Sequence, residues 1–274
     1  MTNRRIDGPA GALNVDDGGT DGTPVLFLHG FGGNTSHWAA QLEHLRPARR
    51  AVAMDLRGHG RSDAPADGDY AVQTQAGDVI AVLDTLRIDR AVLVGHSLGG
   101  AIAIAAAGNE PDRVAGLALL AAPGKVPAEM AHQIVGAMEA DYEKTAAGYW
   151  DQLTAGARPA VAAQLGRERD ALDPETGLAI IRATFAFDPV PALRRYRGPK
   201  LAIVTPRGTA PHDLQNLVDD LPHRVVEGTS HFLQMDDPAT IDAILDEFFT
   251  TIDAEPALEG TRSRPPRSAD AAAT

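Results

Sequence analysis

The chain has no cysteine among its 274 residues. That absence excludes disulfides, thiolate metal sites and a cysteine nucleophile together. It fits a reducing compartment without requiring one. Positive charge is in deficit: 25 Lys and Arg against 37 Asp and Glu leave a formal net charge of -12. Nucleic-acid binding rests on Lys and Arg neutralising phosphates, so a nucleic-acid partner is not expected. The same deficit weighs against an anionic membrane surface. Long apolar runs are missing as well. Nothing approaches the roughly 18 consecutive apolar residues of a membrane-spanning helix. Arg4 and Arg5 near the start have no apolar stretch behind them, so the first residues do not read as a secretory signal. The expectation is a soluble cytoplasmic protein with a small-molecule substrate. No phosphate loop of the Gly-x-x-x-x-Gly-Lys kind, metal-ligand cluster or internal repeat is visible, so no cofactor and no metal are expected.

What is present is a regular alternation. A chain of this length can bury roughly three quarters of its unfolded surface without staples. Pro24 to Leu28, Arg50 to Met54, Ala91 to Val94 and Val114 to Leu120 are short apolar runs, most of them closed by glycine or turn residues. Such runs suit strands buried on both faces. Between them lie helical periods, with Val72, Ala76, Val79, Ile80, Leu83 and Leu86 as one apolar stripe. A small-residue helix runs from Ala101 to Ala107. Strand, helix, strand in repetition predicts an α/β protein: a mostly parallel, doubly wound sheet with helices on both faces. Ala12 to Val15 reads as a short edge strand. From Gly124 to about Pro199 the alternation lapses into Ala-rich helical pieces broken by prolines. The sheet resumes at Leu201 to Val204 and Arg224 to Val226, and Ile241 to Phe249 reads as a closing amphipathic helix. Beyond about Glu255 the composition predicts a disordered tail.

The chemistry is concentrated in Gly95-His96-Ser97-Leu98-Gly99, which matches Gly-x-Ser-x-Gly. A nucleophile on a tight strand-to-helix turn needs glycines where side chains would collide. The hydroxyl then stands at a helix N-terminus, where N–H groups face developing negative charge. A serine needs a base near neutral pH. Among nine histidines, His231 is the best placed. It lies in a loop between the last strand and the closing helix, at the same sheet edge as Ser97. His29 and His59 sit beside glycine turns and read as structural, and His96 should point away from its neighbour Ser97. The oxyanion donors expected are the backbone N–H groups of Leu98 and of Phe31, the latter in the glycine-rich turn after the first buried strand.

The segments His29-Gly30-Phe31-Gly32-Gly33, Asp55 to Ser62, Gly95 to Gly100 and Gly228-Thr229-Ser230-His231 stand in the order seen in the α/β-hydrolase superfamily. The chain resembles that family over roughly residues 12–250. The resemblance implies an α/β-hydrolase fold with core segments 1–123 and 200–254, a helical cap over 124–199 and the tail at 255–274. It also implies an acid in the turn after the strand preceding the histidine loop. That turn, Thr205 to Ala210, contains no carboxylate. Asp213 is the nearest and is the first candidate. Its competing reading is a helix N-cap before Leu214, Leu217 and Val218. At the family's alternative position Glu129 is the nearest acid, and a Ser97–His231 dyad is the remaining case.

The resulting expectation is hydrolysis of a carboxylic ester, thioester or lactone through an acyl-enzyme. Serine as nucleophile argues against epoxide hydrolase and dehalogenase chemistry, which in similar folds relies on a carboxylate there. The rival readings are a lyase or cyclase using His231 as base in the same pocket, and a ligand-binding pseudo-enzyme. The sequence names neither the acyl group nor the alcohol.

Overall fold

The computed structural model describes residues 2–206 and 210–254. Part of the turn expected to hold the acid, and the whole of the expected disordered tail, lie outside the described residues.

Eight strands form one sheet: β1 (Thr2–Gly8), β2 (Gly11–Gly18), β3 (Val25–Leu28), β4 (Ala51–Met54), β5 (Ala91–His96), β6 (Val114–Leu120), β7 (Lys200–Val204) and β8 (His223–Val225). Their spatial order is β1-β2-β4-β3-β5-β6-β7-β8. From β4 to β8 every neighbouring pair is parallel, whereas β1–β2 and β2–β4 are antiparallel. The short edge strand expected at Ala12 to Val15 is therefore a longer strand paired on both sides. β1 takes the edge instead, joined to β2 by the Pro9-Ala10 turn. The polar run Asn3-Arg4-Arg5, with Ile6 as its one apolar residue before Asp7, hid that strand, because an edge strand buries too little to need an apolar run.

The helices are α1 (Ala39–Leu45), α2 (Val72–Thr85), α3 (Leu98–Asn109), α4 (Ala128–Ala140), α5 (Tyr142–Thr154), α6 (Pro159–Asp170), α7 (Pro174–Ala186), α8 (Pro189–Arg195), α9 (Leu214–Leu217), α10 (Leu233–Asp236) and α11 (Pro238–Ala254). Strand side chains alternate between the two faces, as the pleat requires. Val25, Phe27, Ala51, Ala53, Val92 and Val94 pack with Trp38, Leu42, Ile241 and Phe249 under α1 and α11. Leu26, Leu28, Val52, Met54 and Leu93 point the other way, toward Val79, Ile102, Ala106 and Leu193 of α2, α3 and α8. Both faces of the central strands are thus dry, which is why they read as unbroken apolar runs.

Five helices, α4 to α8, lie between β6 and β7. The first four are partly exposed and anchored by a few deep side chains, namely Met138, Trp150, Val161, Leu165, Ile180 and Ile181. α8 packs against α3, with Ala192 against Gly108.

The Asp55-to-Ser62 segment is held by buried polar contacts. Arg57 makes two hydrogen bonds with Asp78 of α2, at 2.7 and 2.8 Å. Both side chains are only 3% exposed. Asp55 accepts from the backbone N–H of Thr35 and of Arg61, tying this segment to the turn after β3. Removing one partner of a buried pair strands the other charge, at a cost of roughly 3–5 kcal/mol. Asp78→Ala should therefore lower Tm by about 10 °C, at the 2–4 °C per kcal/mol typical of a domain this size. Glu139→Ala removes the half-exposed Arg182–Glu139 pair and should shift Tm by less than about 4 °C. Thermal melts of the two variants side by side check this, and equal shifts would contradict it.

Candidate active site

Ser97 sits between β5 and α3 with φ 52° and ψ -118°. A non-glycine residue there is strained, and such strain persists only where the surroundings dictate it. Two glycines make the turn possible by close approach. A Cβ on Gly99 would lie 2.2 Å from the Leu28 carbonyl oxygen, and one on Gly95 would lie 2.4 Å from the Gly99 carbonyl oxygen. These neighbours are backbone and cannot yield. The Ser97 N–H donates to the Leu120 carbonyl of β6, and the side chain remains half-buried at the carboxyl edge of the sheet. Leu98 begins α3. Among the described residues, no hydrogen bond engages the N–H of Leu98 or of Phe31.

The structure brings His231 to the same edge. Its backbone N–H donates to the Leu153 carbonyl of α5 at 3.0 Å. Its ring lies 4.9 Å from that of His96 and 5.6 Å from that of Phe232, edge-on to the latter. Next in the chain, Ser230 donates through its N–H and its hydroxyl to Asp236, whose other carboxylate oxygen accepts from Arg158 N–H. These contacts fix the loop on both sides of His231. Burial lowers the imidazole's pKa to about 4, so it is neutral and able to accept a proton across the neutral range. Among the described residues no hydrogen bond joins it to the Ser97 hydroxyl, and no carboxylate forms an ion pair with it.

Asp213 is not brought to the imidazole. It occupies the N-cap position of α9, and its carboxylate accepts from the Ala210 N–H, closing its own turn. Glu129 lies in the first turn of α4, where it accepts from Gln133. His29 is structural: its Nδ1 lies 2.7 Å from the Gly30 carbonyl oxygen and so carries the proton, and its Nε2 accepts from Leu56 N–H. His59 likewise donates to the Arg57 carbonyl. His96 does diverge from Ser97, but it points into the site, with Nε2 2.9 Å from the His231 carbonyl oxygen.

Sequence reading missed three contributors. Trp150 of α5 stacks on Phe232 at 5.7 Å and lies 6.0 Å from Phe31. It touches both the loop of His231 and the loop of Phe31. Glu168 of α6 accepts from His37, Asn34 and Gln164, joining the helical insert to the turn after β3. Asp236 organises the base loop. All three depend on contacts between segments far apart in sequence, which leave no periodic signal. A cavity of about 330 Å³ opens between the glycine turns and the insert, lined by Gly32, Gly33, His59, Glu168 and Leu172 among others. Although several histidines gather here, among the described residues no group of His, Asp or Glu side chains is arranged to hold a metal ion.

A serine on a strained strand-to-helix turn, at the carboxyl edge of a mostly parallel sheet, defines a class of architecture. A family model described as the alpha/beta hydrolase fold matches residues 23–173, over half of the chain, and the chain belongs to that family. It is 39% identical over 114 residues to 2-hydroxymuconate semialdehyde hydrolase of Pseudomonas sp. (strain CF600), covering 40% of each chain. It is 44% identical over 108 residues to the dihydrolipoyllysine-residue acetyltransferase component of the acetoin cleaving system of Pseudomonas putida, covering 39% of this chain and 29% of that one. The chain thus spans less than half the length of these curated relatives. The solved structure described as "Est816 as an N-Acyl homoserine lactone degrading enzyme" superposes with a TM-score of 0.80 at 28% identity, over 89% of this chain and all of that one. No helix among the described residues is long and apolar enough to cross a membrane.

Three buried histidines, His29, His59 and His96, and the partly buried His231 all have pKa values lowered chiefly by desolvation. An unfolded chain restores them to about 6.5. Below that pH the unfolded state binds more protons, so folding loses stability as pH falls. The urea midpoint should therefore drop steadily between pH 7 and pH 5, above the carboxylate range. A flat midpoint across that interval would show that these imidazoles are not held neutral by the fold.

Proposed function

We propose that the protein is a serine hydrolase that cleaves a carboxylic ester, thioester or lactone through an acyl-enzyme on Ser97. The observation that carries this reading is the Ser97 turn itself, with φ 52° enforced by backbone contacts at Gly95 and Gly99. Strain of this kind is retained where it has a use. The names of the relatives support the class: one is a hydrolase, and one of the structural neighbours is a lactone-degrading enzyme.

In this reading Ser97 Oγ attacks the acyl carbon while its proton passes to His231. The carbonyl oxygen gains the negative charge and is met by the N–H groups of Phe31 and Leu98. The imidazolium returns the proton to the leaving oxygen or sulfur as that bond breaks. A water molecule, deprotonated by His231, then attacks the acyl-enzyme. The acid is released and Ser97 regains its proton. An imidazole with a pKa near 4 is a weak base, but its protonated form is a strong acid. Such a base favours acyl donors with reactive carbonyls, and its acid form can assist a poor leaving group. That no carboxylate among the described residues pairs with His231 also favours a second reading, a lyase or cyclase in which His231 moves a proton and Ser97 forms no covalent bond. The helices of the insert act as a cap over the site in either case.

Ser97→Ala should lower hydrolysis of a short-chain activated ester by at least about 10³-fold with Tm unchanged. A fluorophosphonate should label wild-type Ser97 and leave the variant untouched. Wild-type turnover by Ser97→Ala would end the acyl-enzyme reading. Labelling of Ser97 without turnover of any ester, thioester or lactone would favour the lyase or cyclase.

A cap over the site should open more readily than the sheet. Amide exchange in residues 128–186 should be faster than in Ala91–Val94. Equal protection of the two would remove the gating role from these helices.

A further inference from the structure

His96 is wholly buried and precedes the nucleophile, a position from which its side chain cannot share the direction of Ser97. It crosses instead to the base loop. A carbonyl oxygen only accepts, so the 2.9 Å contact from His96 Nε2 to the His231 carbonyl makes Nε2 the protonated nitrogen. Burial keeps the ring neutral by pulling its pKa well below the usual range, and Nδ1 then carries a lone pair. That Nδ1 is buried without a partner and lies against Gly30, where a Cβ would stand 2.7 Å away. The His96 ring is therefore fixed from one side by the oxyanion loop and spends its one donor on the residue that must accept the Ser97 proton.

The backbone of His231 is gripped at both polar atoms. Its carbonyl receives His96 from the core, and its N–H donates to Leu153 of α5 at 3.0 Å. What remains free is the side chain, and its ring is bracketed by His96 at 4.9 Å and Phe232 at 5.6 Å. In a serine–histidine–aspartate arrangement a carboxylate performs the orienting task through Nδ1. Among the described residues that carboxylate is missing here.

We infer that His96 is the positioning residue for His231, holding the base by its backbone carbonyl and ring face in place of a carboxylate on its imidazole. This rests on the reading of Ser97 and His231 as nucleophile and base. A base displaced by about 1 Å loses on the order of 10²-fold in rate. The geometry also makes a demand on any substitute. Glutamine can extend an amide N–H to the place of Nε2, whereas methionine fills the space with no donor and asparagine is too short to reach.

The test compares wild type, His96→Gln, His96→Met and His96→Asn by the second-order rate of Ser97 phosphonylation with a fluorophosphonate, alongside Tm and the kcat and KM of an activated ester. Phosphonylation needs the nucleophile and its base but no acyl pocket. His96→Met and His96→Asn should slow it by about 10- to 100-fold and lower kcat with little change in KM. His96→Gln should recover most of that rate. If His96→Met does not fold, the Gln and Asn pair decides alone. Equal rates in all folded variants, or equal losses in Gln and Asn, would overturn the positioning role while leaving the serine hydrolase reading intact. A wild-type protein whose Ser97 takes no fluorophosphonate would overturn that reading and this inference with it.

Discussion

The approach of α3 to the end of β3 is the contact on which the site depends. At Gly99 the helix backbone comes so near the Leu28 and His29 carbonyls that no side chain fits between them. This contact places the start of α3, hence Leu98 N–H, beside the loop that carries Phe31. It also forces the chain through the strained turn at Ser97. Strain of order 1–3 kcal/mol persists only when neighbours over-determine it. Here they do: β5 is paired on one side with β3 and on the other with β6, and most of α3 is inaccessible to solvent. The rigidity of the Ser97 turn is supplied by the core of the sheet.

Around that rigid centre the electrostatics come from withdrawing imidazoles from water. Desolvation disfavours the charged form of a histidine, and the buried His29, His59 and His96 and the partly buried His231 are each shifted down for that reason first. In their neutral state His29 and His59 each donate one N–H to a backbone carbonyl. Each thereby pins a loop that a charged ring would repel from its neighbours. His231 shares the environment but not the use. Its backbone is held at both polar atoms, and among the described residues its imidazole makes no ion pair.

The sheet was legible because its central strands are dry on both faces, so Val25–Leu28 and Val114–Leu120 carry their assignment in a few residues. The nucleophile turn was legible because its glycines answer to local sterics. His231 could be singled out by its place between the last strand and the closing helix. The antiparallel β1 was hidden, since an edge strand needs no apolar run. Asp213 combined two plausible roles, and only the backbone around Ala210 shows where its carboxylate goes. Trp150, Glu168 and Asp236 act through partners between four and 134 positions away in sequence. His96 diverges from Ser97 as expected, and where it goes, to the His231 carbonyl, depends on a loop 135 positions away that local reasoning does not reach.

The insert and the site share residues. Leu153 accepts from His231, Trp150 stacks on Phe232, and Glu168 accepts from Asn34 and His37 beside the loop that carries Phe31. A swing of all four outer helices would break these contacts together. It would also expose Leu165, Ile180 and Trp150, each large buried side chain costing roughly 1.5–3 kcal/mol in water. Local displacement costs far less. The cavity bounded by Gly32, Gly33, His59 and Glu168 already reaches the loop that carries Phe31. The outer helices thus touch two separate loops: α6 reaches Asn34 and His37 through Glu168, and α5 reaches His231 through the Leu153 carbonyl.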